Sequence, residues 1–341
     1  MGVTIKQIAE MAGVHRSTVD KVLHHREGVS DPVRERVQKI IDECQYQANP
    51  IGKALKMQDK TIHIGVILLK VDALPYLKKG IEEELKKYES FQIQLEIHEI
   101  AYSDVKKQAE ILRKYKEEKK DGIILSPLNT KEIVFEIDKC TEAKIPVITI
   151  NSDIKGSLRL CFIGQDGFKA GRVAGRLMGE LLHGMGSVAI FTSDSGEGLS
   201  FPFGTREDGF KEVINEAFPH ITLLDSISTQ EDGTVIRREM GSLLEREKDI
   251  SGIFITCGGV KEVGEALKRH NKKNVRLICF ENYPEILKLM KEDIVTLTLD
   301  SGIEEQGKQS INILMNYLIY DKKPHRKHCY TEINIMVKES I

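Results

Sequence analysis

Along the first 47 residues, apolar side chains recur every three or four positions and so predict helices. Thr4 is a suitable N-cap for the first helix, and Gly13 suits the left-handed turn that ends it. The apolar faces of this helix and the next comprise Ile5, Ile8 and Ala9, then Val19, Val22 and Leu23. A third helix begins at Ser30 or Asp31, with Pro32 in its first turn. The pattern predicts an all-α head made of a helix-turn-helix and one further helix.

From Thr61 onward the pattern changes to short apolar runs that alternate with amphipathic stretches. The runs are IHIGVILL, FQIQLEIHEI, DGIILS, PVITIN, SVAIF, ITLLDSIS, SGIFITC, VRLICF and IVTLTL. Strands that alternate with helices form parallel, doubly wound sheets. About ten strands are too many for one open sheet of ordinary size, so we expect two smaller α/β lobes. Ligands in such folds bind beyond the carboxyl ends of the strands.

The composition is that of a globular protein. Of 341 residues, 40% are hydrophobic, 30% are charged and none is Trp, and the formal net charge is −2. Residues 1–60 carry ten Lys and Arg against eight Asp and Glu, an excess too small to indicate a nucleic-acid partner by itself. The six cysteines include no C-x-x-C pair, and no apolar run approaches the ~18 residues of a membrane span. We therefore expect a cytoplasmic protein with reduced thiols.

The second predicted helix has a polar outer face. It comprises His15, Arg16, Ser17, Asp20 and Lys21. In helix-turn-helix proteins this face of the second helix enters the major groove of DNA. The same pattern is compatible with a three-helix protein-interaction bundle whose charged residues are simply solvated.

The segment YQANPIGKALK predicts a marginal helix. Asn49 can cap it, Pro50 suits its first turn, and only about two turns follow. A helix this short is marginal in water, and Gly52 weakens it by roughly 1 kcal/mol relative to Ala. We expect it to fold on a partner, with Leu55 as a minor-groove wedge flanked by the cations of Lys53 and Lys56. A plain interdomain linker is the alternative.

Polar residues directly follow several predicted strands. They are Asp72, Asn151, Asp153, Asp166, Glu281 and Asp300. Carboxylates and amides at strand ends suit the paired hydroxyls of a sugar-like ligand, although each is also a common helix N-cap. The aromatic candidates, for an apolar wall or for ordinary packing, are Tyr76, Phe201, Phe203 and Tyr283.

Other chemistries have little support in the sequence. Glycines recur every fourth residue along one predicted helix, at Gly171, Gly175 and Gly179. This spacing favours close backbone packing, since no G-x-x-x-x-G-K-[ST] phosphate loop occurs. His325, His328 and Cys329 cluster in a basic tract without a matching second ligand pair, and no Ser/His/Asp elbow motif is present. We expect no metal, no cofactor and no enzymatic activity.

The chain resembles the lactose/galactose repressor (LacI/GalR) family over essentially its whole length. The resemblance rests on the framework in AGVHRSTVDKVL, EGVSDPVRERVQKII and YQANPIGKALK, and on the strand IHIGVILL that comes next in the pattern. The resemblance implies two doubly wound parallel-sheet lobes of periplasmic-binding-protein type. It also implies a transcriptional repressor, a homodimer on double-stranded operator DNA, whose affinity responds to a small sugar-like effector between the lobes. A sugar-binding sensor or carbohydrate enzyme with an accessory helical module is the alternative from another class.

The resemblance assigns roles in the head residue by residue. Arg16 and Ser17 fall where the family reads base edges, and Lys21 falls at its later base-reading position. The other candidates for DNA contact are Thr4, His15, Thr18, Asn49, Lys53 and Leu55. Asp20 departs from the family's usual Ser, and its carboxylate is suited to accept from cytosine N4 or to orient Arg16 or Lys21; weaker DNA binding is the alternative.

In the effector domain the implied contacts again follow strands. They are Asn151 in VITINSD, Arg206 in FGTREDGF, Glu281 in ICFENYPE, and Asp300 or Ser301 in LDSGIEEQG. Asp72, Tyr76, Asp166, Phe203 and Cys257 complete the candidate set. Arg206 suits a bidentate clamp on hydroxyls or a carboxylate. Cys257 and Gly258 stand where the family often has Asn-Asp, so one polar contact is missing.

These assignments imply three regions. Residues 1–47 form the helix-turn-helix domain, 48–60 the hinge helix and linker, and 61–341 the effector-binding and dimerisation domain. Within the last, we expect lobe 1 at about 61–163 and 292–323, and lobe 2 at about 164–291 and 324–341.

Overall fold

The chain folds as two units, Met1–Lys60 and Thr61–Ile341. The structure is a computed structural model that describes residues 3–23, 26–44, 57–193, 201–229 and 232–341, without the side chains of 201–203. In these ranges no helix combines the length and the apolar character needed to cross a membrane.

The N-terminal unit contains the three predicted helices, α1 (Ile5–Ala12), α2 (Arg16–Leu23) and α3 (Asp31–Glu43). A capping box starts α1, because the Gln7 amide donates to the Thr4 hydroxyl while the Thr4 amide donates to Gln7 Oε1. Gly13 ends α1 in the left-handed conformation, with φ of 63°. The buried apolar residues are Ile8, Ala9, Ala12, Val19, Val22, Val37 and Ile41. The helix-turn-helix prediction is confirmed.

The second unit alternates strands and helices along most of its length. It begins with β1 (Thr61–Leu69), α4 (Leu74–Leu85), β2 (Gln92–Ile100), α5 (Val105–Glu117), β3 (Gly122–Leu125), α6 (Lys131–Glu142), β4 (Val147–Ile150) and β5 (Cys161–Gln165). It continues with α7 (Gly167–Leu181), β6 (Gly186–Thr192), α8 (Phe201–Ala217), β7 (Ile221–Leu223), β8 (Ile227–Ser228), α9 (Gly233–Arg246), β9 (Gly252–Ile255) and α10 (Val260–Arg269). It ends with β10 (Arg276–Phe280), α11 (Pro284–Lys291), β11 (Leu297–Asp300), α12 (Ile303–Tyr320), β12 (His328–Thr331) and β13 (Asn334–Met336).

The strands form two sheets, as the pattern predicted. The first sheet has the order β12-β5-β4-β3-β1-β2 and is parallel throughout. The second has the order β13-β11-β10-β9-β6-β7, with β8 also paired to β6. Only β13 runs antiparallel to its neighbour among the pairs of the described strands. The fold class is therefore confirmed, with one antiparallel edge strand that was not expected.

The chain passes between the two sheets three times: after β5, after β11, and between β12 and β13. The first lobe thus comprises 61–165 and 302–331, and the second comprises 166–301 and 332–341. The expected lobe boundaries at 291/292 and 323/324 differ from this. Residues 297–300 belong to the second lobe because β11 pairs with β10, and 328–331 belong to the first because β12 pairs with β5.

The glycine stripe on α7 is a packing surface, as its spacing predicted. A methyl group at Gly171 would overlap the carbonyl oxygen of Arg206 on α8, and one at Gly179 would overlap the ring of Phe218. Gly175 likewise faces the backbone of Phe210. Because these residues lack side chains, α8 lies close against α7, and this contact fixes the position of Arg206.

Candidate functional site

In the head, the N-terminal end of α2 is open to solvent. His15, Arg16 and Ser17 are exposed, whereas Thr18, Asp20 and Lys21 are half-buried. His15 Nδ1 lies 2.8 Å from Ser17 Oγ and accepts from the Ser17 amide at 3.3 Å, so the imidazole helps to cap α2.

Asp20 forms an ion pair with Arg26, with 3.3 Å between Oδ2 and Nη1. Both side chains are substantially exposed, so the pair is weak and remains open to rearrangement on a partner surface. Thr4 takes part in the capping box of α1, and this role explains the threonine without any contact to DNA. Asn49, Lys53 and Leu55 lie outside the described residues, and their roles stay predictions.

In the second unit, a cavity of about 460 Å³ lies between the lobes at the carboxyl ends of the strands. Five of the predicted effector residues line it: Asp72, Asn151, Arg206, Cys257 and Glu281. The first two belong to the first lobe and the other three to the second. Residues distant in the sequence therefore meet at one cleft, as expected for a doubly wound fold.

Arg206 is the most constrained of these side chains. It is buried, its Nη1 donates to the Thr256 carbonyl at 2.9 Å, and its Nη2 donates to Gln165 Oε1 at 3.3 Å. The same Nη2 lies 3.4 Å from Glu281 Oε1, and the guanidinium stacks 3.6 Å from the centre of the Phe280 ring. Arg206 is thus held in place by three polar contacts and a ring stack, and its buried Nε has no partner among the described residues.

Glu281 is bound from the other side by Ser301. The Ser301 hydroxyl lies 2.8 Å from each carboxylate oxygen, and its amide donates to Oε2 at 3.3 Å. Burial raises the pKa of Glu281, and the neighbouring Arg206 opposes this rise. Burial likewise lowers the pKa of Arg206, and Glu281 opposes that change. We take the pair as ionised, because each charge has its counterion and further hydrogen bonds.

Two strand-end residues of the cavity have left-handed backbones. Asn151 has φ of 63° and Glu281 has φ of 73°. Asn tolerates this conformation well, whereas for Glu it is uncommon and costs on the order of 1 kcal/mol. The backbone amide of Asn151 also donates to Gln306 Oε1 at 3.1 Å, and Gln306 Nε2 donates to the Ser301 carbonyl at 3.0 Å. Gln306 therefore connects the end of β4 to the second crossing between the lobes.

Asp72 is the first-lobe carboxylate of the cavity, and like Glu265 and Glu285 of the second lobe it has no ion pair or hydrogen bond among the described residues. Desolvation in the cleft raises its pKa, and the carboxylates of Glu285 and Glu262 add to the rise. An unpaired carboxylate at this position is available to a ligand.

An aromatic stack connects the lobes beside the cavity. Tyr76 on α4 and Tyr283, which precedes α11, have ring centres 4.4 Å apart and planes within 9° of parallel. Tyr283 lines the cavity and is buried, and this burial raises its pKa. Tyr76 therefore supports the wall of the cleft through Tyr283.

Other predicted residues do not line this cavity. Asp166 caps α7 by accepting from the Lys169 amide at 3.1 Å and lines a separate cavity of about 220 Å³. Asp300 accepts from the Gly302 amide at 3.2 Å, and Ser301 is directed to Glu281. Asp166 therefore acts as a helix N-cap, and Asp300 accepts a hydrogen bond from the turn that precedes α12, so neither lines the cleft cavity. The side chain of Phe203 lies outside the described residues.

The sequence interpretation missed Gln165, Thr256 and Gln306, which are all buried around the Arg206–Glu281 pair. Gln165 and Thr256 each lie at a strand end, which is the one signal that could have indicated them. Within the described ranges, no group of three or more His, Cys, Asp or Glu residues could hold a metal ion.

The geometry defines a two-lobed binding domain that follows a helix-turn-helix in the chain, and comparison with known families agrees. The model for the periplasmic binding protein domain matches residues 66–323. The model for bacterial regulatory proteins of the lacI family matches residues 4–49. The chain belongs to the lacI family and is a DNA-binding transcription regulator with a periplasmic-binding-protein effector domain.

Individual relatives share this architecture along their length. The ribose operon repressor of Halalkalibacterium halodurans is 23% identical over 328 residues, which cover 94% of this chain and 91% of the repressor. The transcriptional repressor PurR of Haemophilus influenzae is 23% identical and covers 99% of this chain and 98% of its own. Among solved structures, the glucose-galactose binding protein GanP of Geobacillus stearothermophilus has a TM-score of 0.74 at 22% identity. It covers 83% of this chain and 99% of its own, and shows the shared fold of the effector domain.

Proposed function

We propose that this regulator is a repressor that reads its operator through the start of α2. The supporting observation is that Arg16 and Ser17 are exposed at the first turn of the helix whose apolar side fills the core of the head. A guanidinium at this place can form a bidentate contact with guanine O6 and N7. Lys21, one turn further, is the second base-reading candidate, and Leu55 is the minor-groove candidate.

We propose further that the effector is a small, uncharged, sugar-like molecule bound between the lobes. The observation that carries this proposal is the internal neutrality of the Arg206–Glu281 pair. Since that pair compensates its own charges, neither side chain offers a full charge to a ligand. The other charged residues described in the lining are four carboxylates (Asp72, Glu262, Glu265 and Glu285) and three lysines (Lys261, Lys268 and Lys288), so the cavity has no excess of positive charge to attract a carboxylate or phosphate. Asp72 and the side-chain amide of Asn151 suit hydroxyl groups.

The relatives' names supply a second line of support, because one of them is a ribose operon repressor. In our proposal two chains form a homodimer, and the effector changes operator affinity by altering the relative position of the lobes. Linkage then requires operator DNA to change effector affinity by the same factor.

The DNA proposal is tested with Arg16→Ala on duplexes that the wild-type protein selects from a random pool. We expect the variant to lose about 1–3 kcal/mol of discrimination between selected and unrelated duplexes, because one bidentate base contact is gone. Arg36→Ala, which removes an exposed cation from α3, is the matched control and should keep the discrimination. An equal loss of Arg16→Ala on both kinds of duplex would assign Arg16 to the phosphate backbone instead.

The effector proposal is tested by a thermal-shift screen of neutral sugars and their acid forms, followed by calorimetry. Asn151→Gly removes the amide side chain while glycine retains the left-handed backbone, so we expect about three- to tenfold weaker sugar binding from the lost hydrogen bonds. Asn271→Gly makes the same replacement at an exposed position with φ of 53° and should bind normally. Binding of sugar acids alone, or an Asn151→Gly variant with wild-type affinity, would contradict the proposal.

A further inference from the structure

The first lobe contains a second concave surface, which we call the basic groove. It has a volume of about 390 Å³ and lies between the C-terminal part of α12, the connection that follows it, and β12. Its charged and aromatic lining comprises Lys322, Lys323, His325, Arg326, His328 and Tyr330. It shares no lining residue with the cleft cavity.

Three cations of the basic groove, Lys322, Lys323 and Arg326, have no compensating carboxylate in its described lining, whereas His328 lies 3.7 Å from Asp153. No Asp or Glu is among its lining residues in the described part of the chain. In the same part of the chain, the side chains of Lys322, Lys323 and Arg326 make no ion pair or hydrogen bond. By contrast Lys308, on the same helix α12, pairs with Glu83 at 2.9 Å and with Glu304 at 2.8 Å. Three cations around one concavity create a positive potential that attracts anions.

Two simpler roles explain only part of this arrangement. Cations just beyond α12 complement the negative C-terminal end of the helix, which accounts for Lys322 and Lys323. Arg326 and the two imidazoles lie further along the connection and on β12, so this effect does not account for them. A metal site is not formed by His325, His328 and Cys329, since no such group occurs among the described residues.

We propose that the basic groove binds a small phosphorylated metabolite, separately from the effector in the cleft. Its volume is in the range of small-molecule sites, about 300–1,000 Å³. Lys and Arg would bind the phosphate oxygens through charge-assisted hydrogen bonds. Tyr330, which is 53% exposed and stacks on His328 with ring centres 5.6 Å apart, provides an apolar face for the organic part.

A chain of polar contacts connects the basic groove to the cleft. Arg159 Nη2 lies 3.1 Å from His328 Nε2, and the same guanidinium binds Asp153 through two contacts of 2.5 Å. Asp153 in turn accepts from the Thr149 hydroxyl on β4 at 3.1 Å. Since β4 ends next to Asn151 in the cleft, occupation of the groove has a physical route to the effector site.

The test is calorimetry on the full-length protein at low ionic strength, without DNA or effector. The probe is ribose 5-phosphate, and a parallel titration with ribose measures any binding that does not depend on the phosphate, including binding of the sugar in the cleft. We expect Lys323→Gln/Arg326→Gln to bind ribose 5-phosphate about tenfold more weakly than the wild type, because two charge-assisted contacts are removed. Arg269→Gln/Lys291→Gln removes the same charge from exposed positions on α10 and α11 and should bind as the wild type does.

Several results would overturn the proposal. One is the absence of ribose 5-phosphate binding below about 1 mM, and another is equal binding by the wild type and the groove variant. Equal weakening in the control variant would show an effect of net charge alone. A phosphoserine peptide that binds more tightly than ribose 5-phosphate and displaces it would assign the groove to a protein partner. The outcome is independent of the effector proposal, since it is measured on residues outside the cleft.

Discussion

Arg206 and Glu281 show how one buried pair can organise a site. The guanidinium donates to Thr256 and Gln165, and the carboxylate accepts from Ser301. Gln165 lies at the first crossing between the lobes and Ser301 at the second, so the pair is hydrogen-bonded to both crossings. The pair is costly to bury and stabilises the fold only while both partners are present. Its value for binding is that it fixes a neutral, polar surface at the base of the cleft.

Removal of the cation alone should therefore produce a pH-dependent loss of stability. In Arg206→Met the buried Glu281 loses its counterion, and its pKa, already raised by burial, rises further. A carboxyl whose pKa is higher in the folded than in the unfolded state stabilises the folded protein fully at a pH below its unfolded-state pKa. This stabilisation is lost as the pH rises through the folded-state pKa. We expect the loss to reach about 3–5 kcal/mol near neutral pH and to shrink toward about pH 5.

Urea unfolding at several pH values measures this effect. The double variant Arg206→Met/Glu281→Gln has no titrating group at this place and serves as the control. It should be more stable than Arg206→Met at high pH and should lack the additional slope. Parallel pH profiles for the two variants would show that the pKa of Glu281 is the same in the folded and unfolded states of Arg206→Met, and would contradict the prediction.

At the level of elements, glycine positions determine how closely helices approach. Gly171 and Gly209 allow α7 and α8 to pack backbone to backbone, and Gly80 and Gly307 do the same for α4 and α12. A Cβ atom at any of the four would meet a carbonyl oxygen of the opposite helix. The first of these helix pairs positions Arg206, so packing and binding are coupled there.

Gly171→Ala is expected to displace α8 and to affect both properties. The added methyl group meets the Arg206 backbone, so we expect a loss of about 1–3 kcal/mol in unfolding free energy. Effector affinity should fall as well, because Arg206 moves with its helix. The control is Gly241→Ala on α9, where no atom lies within 4 Å of the new Cβ. That variant should be neutral or more stable by up to about 1 kcal/mol, and similar behaviour of both variants would contradict the packing argument.

At the level of the whole effector domain, the lobes are joined by three crossings and by contacts across the cleft. The Tyr76–Tyr283 stack is the aromatic contact that connects α4 of the first lobe to the start of α11 in the second. Gln306 adds a polar connection between the end of β4 and Ser301. These contacts favour a closed arrangement, so their energy contributes to the balance between open and closed lobes.

Tyr76→Ala should shift that balance toward the open form. Loss of a stacked pair worth about 0.5–1.5 kcal/mol corresponds to about two- to tenfold weaker effector binding and a larger radius of gyration in the absence of effector. Calorimetry and small-angle X-ray scattering measure the two quantities. Phe135→Ala on α6, which removes an aromatic residue that is 55% exposed, should change neither. An unchanged radius and affinity in Tyr76→Ala would mean that the stack does not hold the lobes together.

Much of the fold was predictable because its signals are local. Thr4, Gly13 and the spacing of Ile8, Val19 and Val37 belong to short segments, and caps and periodicity act within a few residues. Strands rich in Val and Ile were found for the same reason. β5, with the sequence CFIGQ, and β12, with HCYT, were missed because neither contains such a run. Their strand character comes from the sheet, where β5 pairs with both β4 and β12.

The sequence by itself determined the kinds of element, the two-lobed class and the strand ends at which polar residues gather. Only the tertiary structure decided that Arg206 and Glu281 neutralise each other, that the Ser301 hydroxyl donates to Glu281, and that the cations after α12 line one groove. It also decided which sheet receives β11 and β12. The physical reason is range: caps, turns and periodicity depend on neighbours in the chain, whereas ion pairing, desolvation and sheet edges depend on segments that meet only after folding.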